Sequence, residues 1–585
     1  MDKIKASDYI ADFLEGKGVD TVFGYIGGMI THLADSLYKA QGIRFIQTYH
    51  EQTAAIAAEG YAIESGKIGV AISTSGPGAT NMMTGIADAY YDSVPAIYIT
   101  GQVNTYEYKY GKPIRQQGFQ EMPVVELVKP ITKYAKLIDN AEDIPYELEK
   151  AYHIATSGRK GPVVLDIPLN IQRSAIEPQK CRTYQEEHQT AASIETQDIQ
   201  MVQDALAKAK CPMLLCGGGC QDSSCKTEIK HFLEATGIPA VVSLMGRGSV
   251  DESYPFYAGM VGSYGNRCAN MAISQADLLL AVGSRLDTRQ TGARIDAFIP
   301  ESTIIHVDID QDELECNRLE NRIKIKAEGS LFLSALNSGC AGLPDLRVWQ
   351  ELIGKCRNEY SQKREVERFV KNKAPYLFIG YVNSMMKEND IVCTDVGQNQ
   401  MWAAQTLRLE NGQKFLTSGG LAPMGYSMPA AIGCAFRSPE KTIFSLVGDG
   451  GFHMSSQSLP VISQYRLPVK VCVFNNRTLG MITQFQNLYF DGRLAGSAPD
   501  GGYLSPDIEK TAEAYGLNYY RITVNDLSNT ELKRRIISEK TCVVEFVIEG
   551  MTTVSPKLEY DKPIYNPSPQ LSDEELKKTG FSFLN

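Results

Sequence analysis

Two short polar motifs in the last third of the chain carry residue types suited to holding a metal ion and a diphosphate. The motif Gly-Asp-Gly, centred on Asp449, follows a β-rich apolar run at 442–447, and Asn-Asn, ending at Asn476, follows a run at 469–474. The segment between them is long enough for the helical crossover that joins parallel neighbouring strands. Asp449 and Asn476 would then emerge side by side at the carboxyl edge of a sheet, where open α/β sheets bind ligands. One carboxylate and one amide oxygen suit Mg²⁺, so the motifs predict a magnesium–diphosphate clamp.

Glu51 is a third residue placed to do chemistry, because a predicted strand at 43–48 gives way there to an alanine-rich helix. Taken alone, a glutamate in the first turn of a helix is explained by its favourable interaction with the helix dipole. The spacing of Gly-Asp-Gly and Asn-Asn resembles the thiamine diphosphate signature, however, and YHEQTAAIAAEGYA resembles the glutamate motif of the same enzymes. The resemblance implies that Glu51 hydrogen-bonds the aminopyrimidine of thiamine diphosphate and exchanges the proton that activates the cofactor.

The elements that must position these residues recur as alternating apolar strands and helical segments. Such alternation is typical of doubly wound parallel sheets, and it predicts an α/β fold with three such domains and a C-terminal tail. The resemblance assigns the domains to pyrimidine binding, to FAD or dinucleotide binding, and to diphosphate and Mg²⁺ binding. The predicted boundaries are 1–173 for the first domain, 174–200 for a polar linker, 201–343 for the central domain, 344–375 for a charged connector, 376–550 for the third domain and 551–585 for the tail.

Size and composition exclude several classes of protein. A chain of 585 residues exceeds a single core, and 43% hydrophobic with 22% charged residues is ordinary for a globular protein. The net charge is −10 without a basic cluster, so nucleic acid is not an expected partner, and no apolar run has the length of a membrane span. The 13 scattered cysteines and a start without a signal-peptide core indicate a cytoplasmic protein with reduced thiols. Four of them, at Cys211, Cys216, Cys220 and Cys225, lack paired C-x₂-C spacing, which favours buried thiols over a zinc site.

Further stretches narrow the resemblance to one family. TSGPGATN, DSVP, ITGQV, FQEMPVVELVKPITK, IATSGRKGPVVLDIP and NIQ are similar to the catalytic subunit of acetolactate synthase (acetohydroxyacid synthase), and similar stretches recur along most of the chain. The resemblance implies decarboxylation of pyruvate and ligation of the two-carbon unit to a second 2-oxo acid, giving 2-acetolactate-type products for branched-chain amino acid biosynthesis. It also implies a homodimer or homotetramer, in which the first domain of one subunit and the third domain of another enclose the cofactor. A regulatory subunit is left open.

The same resemblance assigns roles to individual residues. Those expected to line the catalytic centre are Glu51, Gly28, Gln120, Phe119 and Lys133. Taken alone, Phe119 would be core packing and Lys133 a solvated charge. Those expected to bind thiamine diphosphate, besides Glu51, are Pro77, Asn81, Gln398, Asn399, Met424, Gly448, Gly450, Gly451, Leu479, Gly480 and Met481. The expected Mg²⁺ ligands are Asp449, Asn476 and the Thr478 carbonyl, and Met424 is expected to support the bent cofactor.

The central region is expected to bind FAD, which is mainly structural in that family because the net ligation is redox-neutral. The residues assigned to FAD are Gly218, Gly219, Leu244, Met245, Gly283, Arg285, Arg289, Asp308 and Ile309. No clean G-x-G-x-x-G motif occurs, so the region by itself also fits a domain that binds nothing.

Several positions differ from the family pattern on the side that receives the second substrate. Phe485 replaces a usual tryptophan, Met29 a usual alanine and Leu169 a usual lysine, so these three are expected to shape the substrate pocket. Segment 104–118 is longer than usual beside the expected substrate entrance, and the tail is expected to help cover the site. A changed side chain in an apolar pocket alters discrimination by about 1–3 kcal/mol. The acceptor therefore stays open between a 2-oxo acid and another carbonyl compound, an aldehyde or keto-sugar, and pyruvate oxidase-like chemistry is a further alternative.

Overall fold

The computed structural model describes residues 3–185, 194–299, 302–339 and 344–582. Within these ranges the chain forms three α/β domains, and each is built on a six-stranded parallel sheet. The predicted fold class is confirmed. No helix in this described part of the chain is both long and apolar enough to cross a membrane.

The first domain surrounds a doubly wound sheet. Its strands are β1 (Ile4–Lys5), β2 (Thr21–Tyr25), β3 (Arg44–Gln47), β4 (Gly69–Ser73), β5 (Ala96–Gln102), β6 (Tyr134–Leu137), β7 (Pro162–Pro168) and β8 (Ala175–Ile176). Its helices are α1 (Ala6–Gly16), α2 (Thr31–Lys39), α3 (Glu51–Ser65), α4 (Pro77–Tyr91), α5 (Val124–Val128), α6 (Ile144–Thr156) and α7 (Leu169–Gln172). The sheet has the order β3-β2-β4-β5-β7-β6, and β1 pairs with β8 in a separate antiparallel ribbon. The order reverses between β2 and β4, so the loops after these strands border the crevice where such sheets bind ligands.

The central domain repeats this plan. Its strands are β9 (Pro212–Cys216), β10 (Ala240–Val242), β11 (Tyr257–Met260), β12 (Leu278–Val282), β13 (Thr303–Asp308) and β14 (Ile323–Lys326). Its helices are α8 (Thr196–Leu206), α9 (Ser223–Thr236), α10 (Arg267–Ile273), α11 (Thr288–Thr291), α12 (Gln311–Glu315) and α13 (Gly329–Asn337), and the connector adds α14 (Arg347–Glu359) and α15 (Gln362–Phe369). The sheet order is β11-β10-β9-β12-β13-β14, which reverses between β9 and β12.

The third domain has the same topology again. Its strands are β15 (Ile391–Thr394), β16 (Lys414–Thr417), β17 (Ile443–Gly448), β18 (Val469–Asn475), β19 (Asn518–Ile522) and β20 (Cys542–Val547). Its helices are α16 (Ala374–Asn383), α17 (Gln398–Thr406), α18 (Ser427–Arg437), α19 (Asp449–Met454), α20 (Leu459–Gln464), α21 (Gly480–Tyr489), α22 (Ile508–Ala514) and α23 (Thr530–Ser538), and the tail forms α24 (Asp573–Lys578). The order is β16-β15-β17-β18-β20-β19, with the reversal between β15 and β17. Strands β17 and β18 are parallel neighbours, as the opening motifs predicted.

The central strands are buried on both faces, which explains why they read as continuous apolar runs rather than alternating patterns. Every residue of β5, β7 and β18 is buried. Lys470 lies within β18, and its ammonium is accommodated because it donates to the carbonyl oxygens of Ile536 and Glu539.

Helices α3 and α18 cross in direct backbone contact and join the first domain to the third. A Cβ added at Gly60 would lie 2.2 Å from the Ala430 carbonyl oxygen, and one added at Gly433 would lie 2.0 Å from the Ala57 carbonyl oxygen. Both positions require glycine because of this close approach. Apolar residues of both helices belong to one hydrophobic cluster, so the two domains share a core.

The connecting segments differ in part from their predictions. The predicted linker contributes β8 to the ribbon and the start of α8, while residues 186–193 lie outside the described residues. Its polar composition concealed this helix, because Val202 and Leu206 are the buried residues of α8. The predicted boundary at 343 also lies outside the described residues.

The tail packs back on the central domain and the connector. The Arg267 guanidinium, paired with buried Glu365, donates to the carbonyl oxygens of Pro567 and Pro569. A capping box begins α24, where the side chains of Ser572 and Glu575 each accept from the other residue's backbone N–H.

Candidate active site

The third domain places its predicted metal ligand at the point where the sheet reverses order. Asp449 begins α19 directly after β17, and only 1% of the residue is exposed. Burial raises the pKa of its carboxyl to about 6, although the Tyr503 hydroxyl, which donates to Oδ2 at 2.9 Å, acts in the opposite direction. A buried carboxylate favours a nearby cation, because the cation offsets the cost of burying its charge.

Two predicted amides meet beside Asp449's strand. The Asn476 Nδ2 lies 3.5 Å from the Gln398 Oε1, and its Oδ1 accepts from the Thr478 backbone N–H at 3.2 Å. A Cβ added at Gly480 would lie 2.1 Å from the Gln398 Oε1 and 2.8 Å from the Asn476 Nδ2, so both amides press against this bare backbone. The strand ends and the start of α21 therefore bring the predicted diphosphate and metal residues together.

Met424 lies beside the glycine that follows Asp449. A Cβ added at Gly450 would lie 2.7 Å from Leu479 Cδ2, 3.0 Å from Met424 Cε and 3.4 Å from the Tyr503 hydroxyl. Three of the predicted residues, Gly450, Leu479 and Met424, thus lie together with Tyr503.

Asp395 fixes the backbone just after Met424. Its two carboxylate oxygens accept from the backbone N–H groups of Gly425 and Ser427 at 2.9 and 3.0 Å. Burial raises the pKa of Asp395 to about 6, and these hydrogen bonds act against that rise. A Cβ added at Gly451 would lie 2.7 Å from the same carboxylate, which explains the glycine there.

Asn399 and Met481 are placed differently from their neighbours. The Asn399 side-chain amide is buried, and its Nδ2 donates to the carbonyl oxygens of Asp395 and Leu446. The Asn399 Nδ2 thereby connects the ends of β15 and β17. The Asn399 Oδ1 lies towards Gly397 and Gly448, in the loops that follow these strands. Met481 packs partly buried against the core.

The first domain holds Glu51 at the start of α3, with 7% of the residue exposed. The Asn81 Nδ2 donates to Glu51 Oε2 at 3.0 Å, and a Cβ added at Gly78 would lie 3.2 Å from Oε1. Pro77 is the first residue of α4, whose first turn therefore supplies both neighbours. Helix α4 therefore orients the carboxyl at the start of α3.

The switch point of this domain is bordered by three further predicted residues, Gly28, Met29 and Gln120. Gly28 faces open space, because an added Cβ would meet no atom within 4 Å. The Met29 N–H donates to Thr74 Oγ1 at 3.3 Å, which joins the loops after β2 and β4. Gln120 has φ +62°, and a Cβ added at Gly76 would lie 3.0 Å from its carbonyl oxygen. The loops around Gly28, Gly76 and Gln120 therefore border one crevice.

Gln102 and Asp166 hold the Gln120 segment from below. The Gln102 Nε2 donates to the Met122 carbonyl oxygen at 2.8 Å and to Asp166 Oδ2 at 2.9 Å, and Thr100 donates to Asp166 Oδ1 at 2.7 Å. Burial raises the pKa of Asp166 to about 7.

Four predicted residues remain, and no hydrogen bond in the described part of the chain joins them to Glu51 or Asp449. The Lys133 ammonium donates to the carbonyl oxygens of Ile154 and Ser157 at the end of α6, and burial lowers its pKa to about 8. Phe119 is 79% exposed. Phe485, 47% exposed on α21, packs against Tyr489 in a tilted arrangement with the ring centroids 4.7 Å apart. Leu169 begins α7 in the first domain.

A cavity of 1370 Å³ lies where the three domains meet, and it contains the switch point of the central sheet. The loops after β9 and β12 touch there, since the Gly219 N–H donates to the Gly283 carbonyl oxygen at 3.0 Å. All the residues predicted to bind FAD line this cavity: Gly218, Gly219, Leu244, Met245, Gly283, Arg285, Arg289, Asp308 and Ile309. The first domain adds Arg159 and the third adds Gly419.

Three residues of the site were missed by reasoning from sequence. Asp395 had a usable signal, because it ends a predicted strand in the same way as Asp449. Tyr503 and Thr552 had none, since each reaches the site from a loop without a motif.

Comparison with known proteins places this geometry in a class. Residues 4–127 match the N-terminal TPP binding domain of thiamine pyrophosphate enzymes, 199–336 match their central domain, and 395–546 match their C-terminal TPP binding domain. The fold and the paired switch-point sites are thus those of a thiamine pyrophosphate enzyme.

Relatives along the whole chain narrow that class. The chain is 39% identical over 559 residues to a probable acetolactate synthase large subunit of Methanocaldococcus jannaschii, covering 93% of this chain and 92% of the relative. It is 36% identical over 556 residues to the acetolactate synthase isozyme 2 large subunit of Escherichia coli, covering 94% and 97%. It is also 36% identical over 531 residues to the chloroplastic acetolactate synthase of Arabidopsis thaliana, covering 89% and 78%. The chain belongs to the acetolactate synthase large-subunit family, which confirms the predicted family.

Proposed function

We propose that this chain decarboxylates pyruvate with thiamine diphosphate and joins the resulting two-carbon unit to a second 2-oxo acid, giving 2-acetolactate-type products. The observation that carries the proposal is a pair of polar sites at the strand ends of two domains. Glu51 accepts from Asn81 in the first domain, and in the third domain Asp449 and Asn476 follow the neighbouring strands β17 and β18, with Asn476 next to Gln398. These sites lie in a chain whose relatives, matched nearly end to end, are named acetolactate synthase large subunits.

The residues around Asp449 fit a magnesium ion. The set consists of a buried carboxylate, the side-chain oxygen of Asn476 and the backbone of Thr478, and hard oxygen donors of this kind suit Mg²⁺. The raised pKa of Asp449 points the same way, because a neighbouring cation would relieve the cost of its buried charge. Asp449, Asn476 and Thr478 would hold the ion, which would screen a diphosphate.

The chain's own groups then have defined tasks. Bound thiamine diphosphate supplies an electron sink for decarboxylation. Glu51 holds and exchanges a proton at its carboxyl, and Asn81 keeps that carboxyl oriented. Met424, which lies beside Gly450, would support the cofactor from the third domain. Gly448, Gly450 and Gly451 flank Asp449, where the diphosphate would be held.

The two halves of the site point to an assembly of at least two copies. No hydrogen bond in the described part of the chain joins Glu51 to Asp449, Asn476 or Met424. Phe119 at the first-domain crevice and Phe485 in the third domain are both strongly exposed in one copy. We therefore propose that the first domain of one subunit and the third of another complete each site in a homodimer or homotetramer.

The central cavity fits FAD. The loops after β9 and β12 carry bare glycine backbone where side chains would collide, since a Cβ at Gly217 would lie 2.0 Å from the Gly283 carbonyl oxygen. Arg285 and Arg289 line the cavity and can meet phosphate charge. We propose a mainly structural flavin, which would join the three domains that form the cavity.

Location and further partners complete the proposal. We propose a cytoplasmic enzyme, in keeping with the unpaired state of every cysteine in the described ranges. A regulatory partner is also proposed, since the relatives are named large subunits.

One experiment separates the candidate reactions. The protein is incubated with pyruvate, thiamine diphosphate, Mg²⁺ and FAD, and the products are identified. Acetolactate supports the proposal. If CO₂ is released but no ligation product forms until an aldehyde or keto-sugar is added, that compound is the acceptor in place of the second 2-oxo acid. Bleaching of the flavin in the absence of oxygen would indicate a pyruvate oxidase.

A further inference from the structure

We propose that Thr552, in the C-terminal tail, is a positioning residue that sets the orientation of the metal-binding amide of Asn476. Thr552 follows the last strand of the third domain and is 3% exposed. Its hydroxyl donates to Gln398 Oε1 at 2.6 Å and accepts from Asn476 Nδ2 at 3.1 Å. The inference rests on the proposed magnesium and thiamine diphosphate site.

The orientation of the Asn476 amide decides whether this side chain can bind a metal ion. A side-chain amide can present either its oxygen or its nitrogen in a given direction, but only the oxygen can bind Mg²⁺. The Thr552 hydroxyl engages the Asn476 nitrogen, so Oδ1 is turned the other way, where it accepts from the Thr478 N–H at 3.2 Å. Without the hydroxyl, the flipped amide would place a donor where the metal needs a lone pair.

A hydroxyl is the group that suits this position. It can donate to one amide oxygen and accept from another amide nitrogen at the same time. The Gln398 oxygen takes the hydroxyl proton, and the Gln398 Nε2 is left to donate to Gln484 Oε1 at 3.0 Å and to the Thr552 carbonyl oxygen at 3.3 Å. The orientations of Asn476 and Gln398 are therefore set together.

The tail is held in place to perform this task. The Val554 N–H donates to Gln484 Oε1 at 3.0 Å, and the Trp402 Nε1 donates to the Thr553 carbonyl oxygen at 3.0 Å. The two residues that follow Thr552 are thus anchored to α17 and α21. The tail contributes a group inside the site and does more than cover it.

Three variants test the role of the hydroxyl. Thr552→Val keeps the branched shape and removes the hydroxyl, while Thr552→Ser keeps the hydroxyl. Thr553→Val is the matched control, because the Thr553 hydroxyl makes no hydrogen bond in the described part of the chain and its carbonyl contact with Trp402 is unaffected. The affinity for Mg²⁺ is measured by calorimetry on the full chain with saturating thiamine diphosphate, together with the Mg²⁺ dependence of turnover.

The valine variant is expected to bind Mg²⁺ at least about tenfold more weakly, since losing a group that orients a metal ligand typically costs about 10–100-fold in affinity. Turnover should recover at high Mg²⁺, because the catalytic groups are intact. The serine and Thr553→Val variants should stay within about twofold of the wild type, well below the loss expected for valine.

Several results would overturn the proposal. Wild-type Mg²⁺ affinity in Thr552→Val would do so, and so would a serine variant as weak as the valine variant. If the valine variant does not fold, Thr552→Ala carries the same prediction. A wild-type protein that binds no thiamine diphosphate would refute the proposed function and this inference with it. If the wild type binds thiamine diphosphate and the Mg²⁺ affinity of Thr552→Val equals that of the wild type, the inference alone is refuted.

Discussion

Asp92 offers a test of how the first domain supports the loop that carries Met424. It lies at the end of α4, and its two carboxylate oxygens accept from the backbone N–H groups of Gly419 and Gly420 at 2.9 and 2.7 Å. The next turn is braced as well, since the Ala422 N–H donates to Ser418 Oγ at 2.9 Å. This loop leads directly to Met424, so the first domain holds the loop that positions the Met424 of its own chain.

The substitution Asp92→Asn exchanges one of those oxygens for an NH₂ group. One of the two glycine amides then faces a donor and loses its partner. A hydrogen bond to a charged group is worth about 1.5–3 kcal/mol, which corresponds to about a 10- to 100-fold change in an opening equilibrium. The amide hydrogen exchange of the 418–422 loop should quicken by that factor, because exchange reports local opening.

Hydrogen-exchange mass spectrometry on the full chain measures this effect. Asp139→Asn is the control, because Asp139 is exposed and makes no hydrogen bond in the described part of the chain. Exchange in β17 and β18 should stay unchanged, which separates loop loosening from global unfolding. Unchanged exchange of the loop in Asp92→Asn would refute the reasoning.

Three further predictions concern the shared core, the buried acids and Glu51. Gly60→Ala should lower the melting temperature and the yield of folded protein, because its Cβ would lie 2.2 Å from the Ala430 carbonyl oxygen. The control Gly380→Ala, whose Cβ would meet no atom within 4 Å, should stabilise the fold by up to about 1 kcal/mol. Equal melting temperatures for the two variants would contradict this prediction. Burial and the neighbouring Asp92 raise the pKa of Asp88 from 3.8 to about 8, so the stability that its protonated form contributes is present at low pH and is lost as the pH rises to about 8. The side chain of Asp88→Asn stays neutral, so the melting temperature of this variant should fall less than that of the wild type over the same pH range. Parallel plots of melting temperature against pH for the two proteins would exclude the raised pKa. Asn81→Ala removes the 3.0 Å hydrogen bond that orients the Glu51 carboxyl, so turnover of pyruvate should fall about 10- to 100-fold with little change in cofactor affinity. Wild-type turnover in this variant would show that the contact does not orient the carboxyl.

The sequence predicted the parts of the site that depend on one strand end and its following turn. Asp449 and Asn476 follow strands that were expected to be parallel neighbours, and β17 and β18 are such neighbours that end at the same sheet edge. The residues predicted to bind FAD were found in the same way, since they come from the loops after strands of the central sheet.

Contacts that join distant segments could not be read in this way. Tyr503 and Thr552 reach Asp449 and Asn476 from loops whose path depends on tertiary packing. Lys133 shows the reverse case, because its motif gives no sign that the end of α6 supplies carbonyl oxygens for its ammonium. The edge strands β6, β14 and β19 also escaped prediction, because they are partly exposed and lack a continuous apolar run.

The most direct test of the central claim compares the wild type with Glu51→Gln on pyruvate as the sole organic substrate. The wild type should release CO₂ and form acetolactate. The glutamine variant keeps the shape of the side chain and loses its exchangeable carboxyl proton, so it should still bind thiamine diphosphate while turnover falls by at least about 100-fold. Wild-type turnover in Glu51→Gln, or no CO₂ from pyruvate with the wild-type protein, would contradict the assignment of Glu51 and of the reaction.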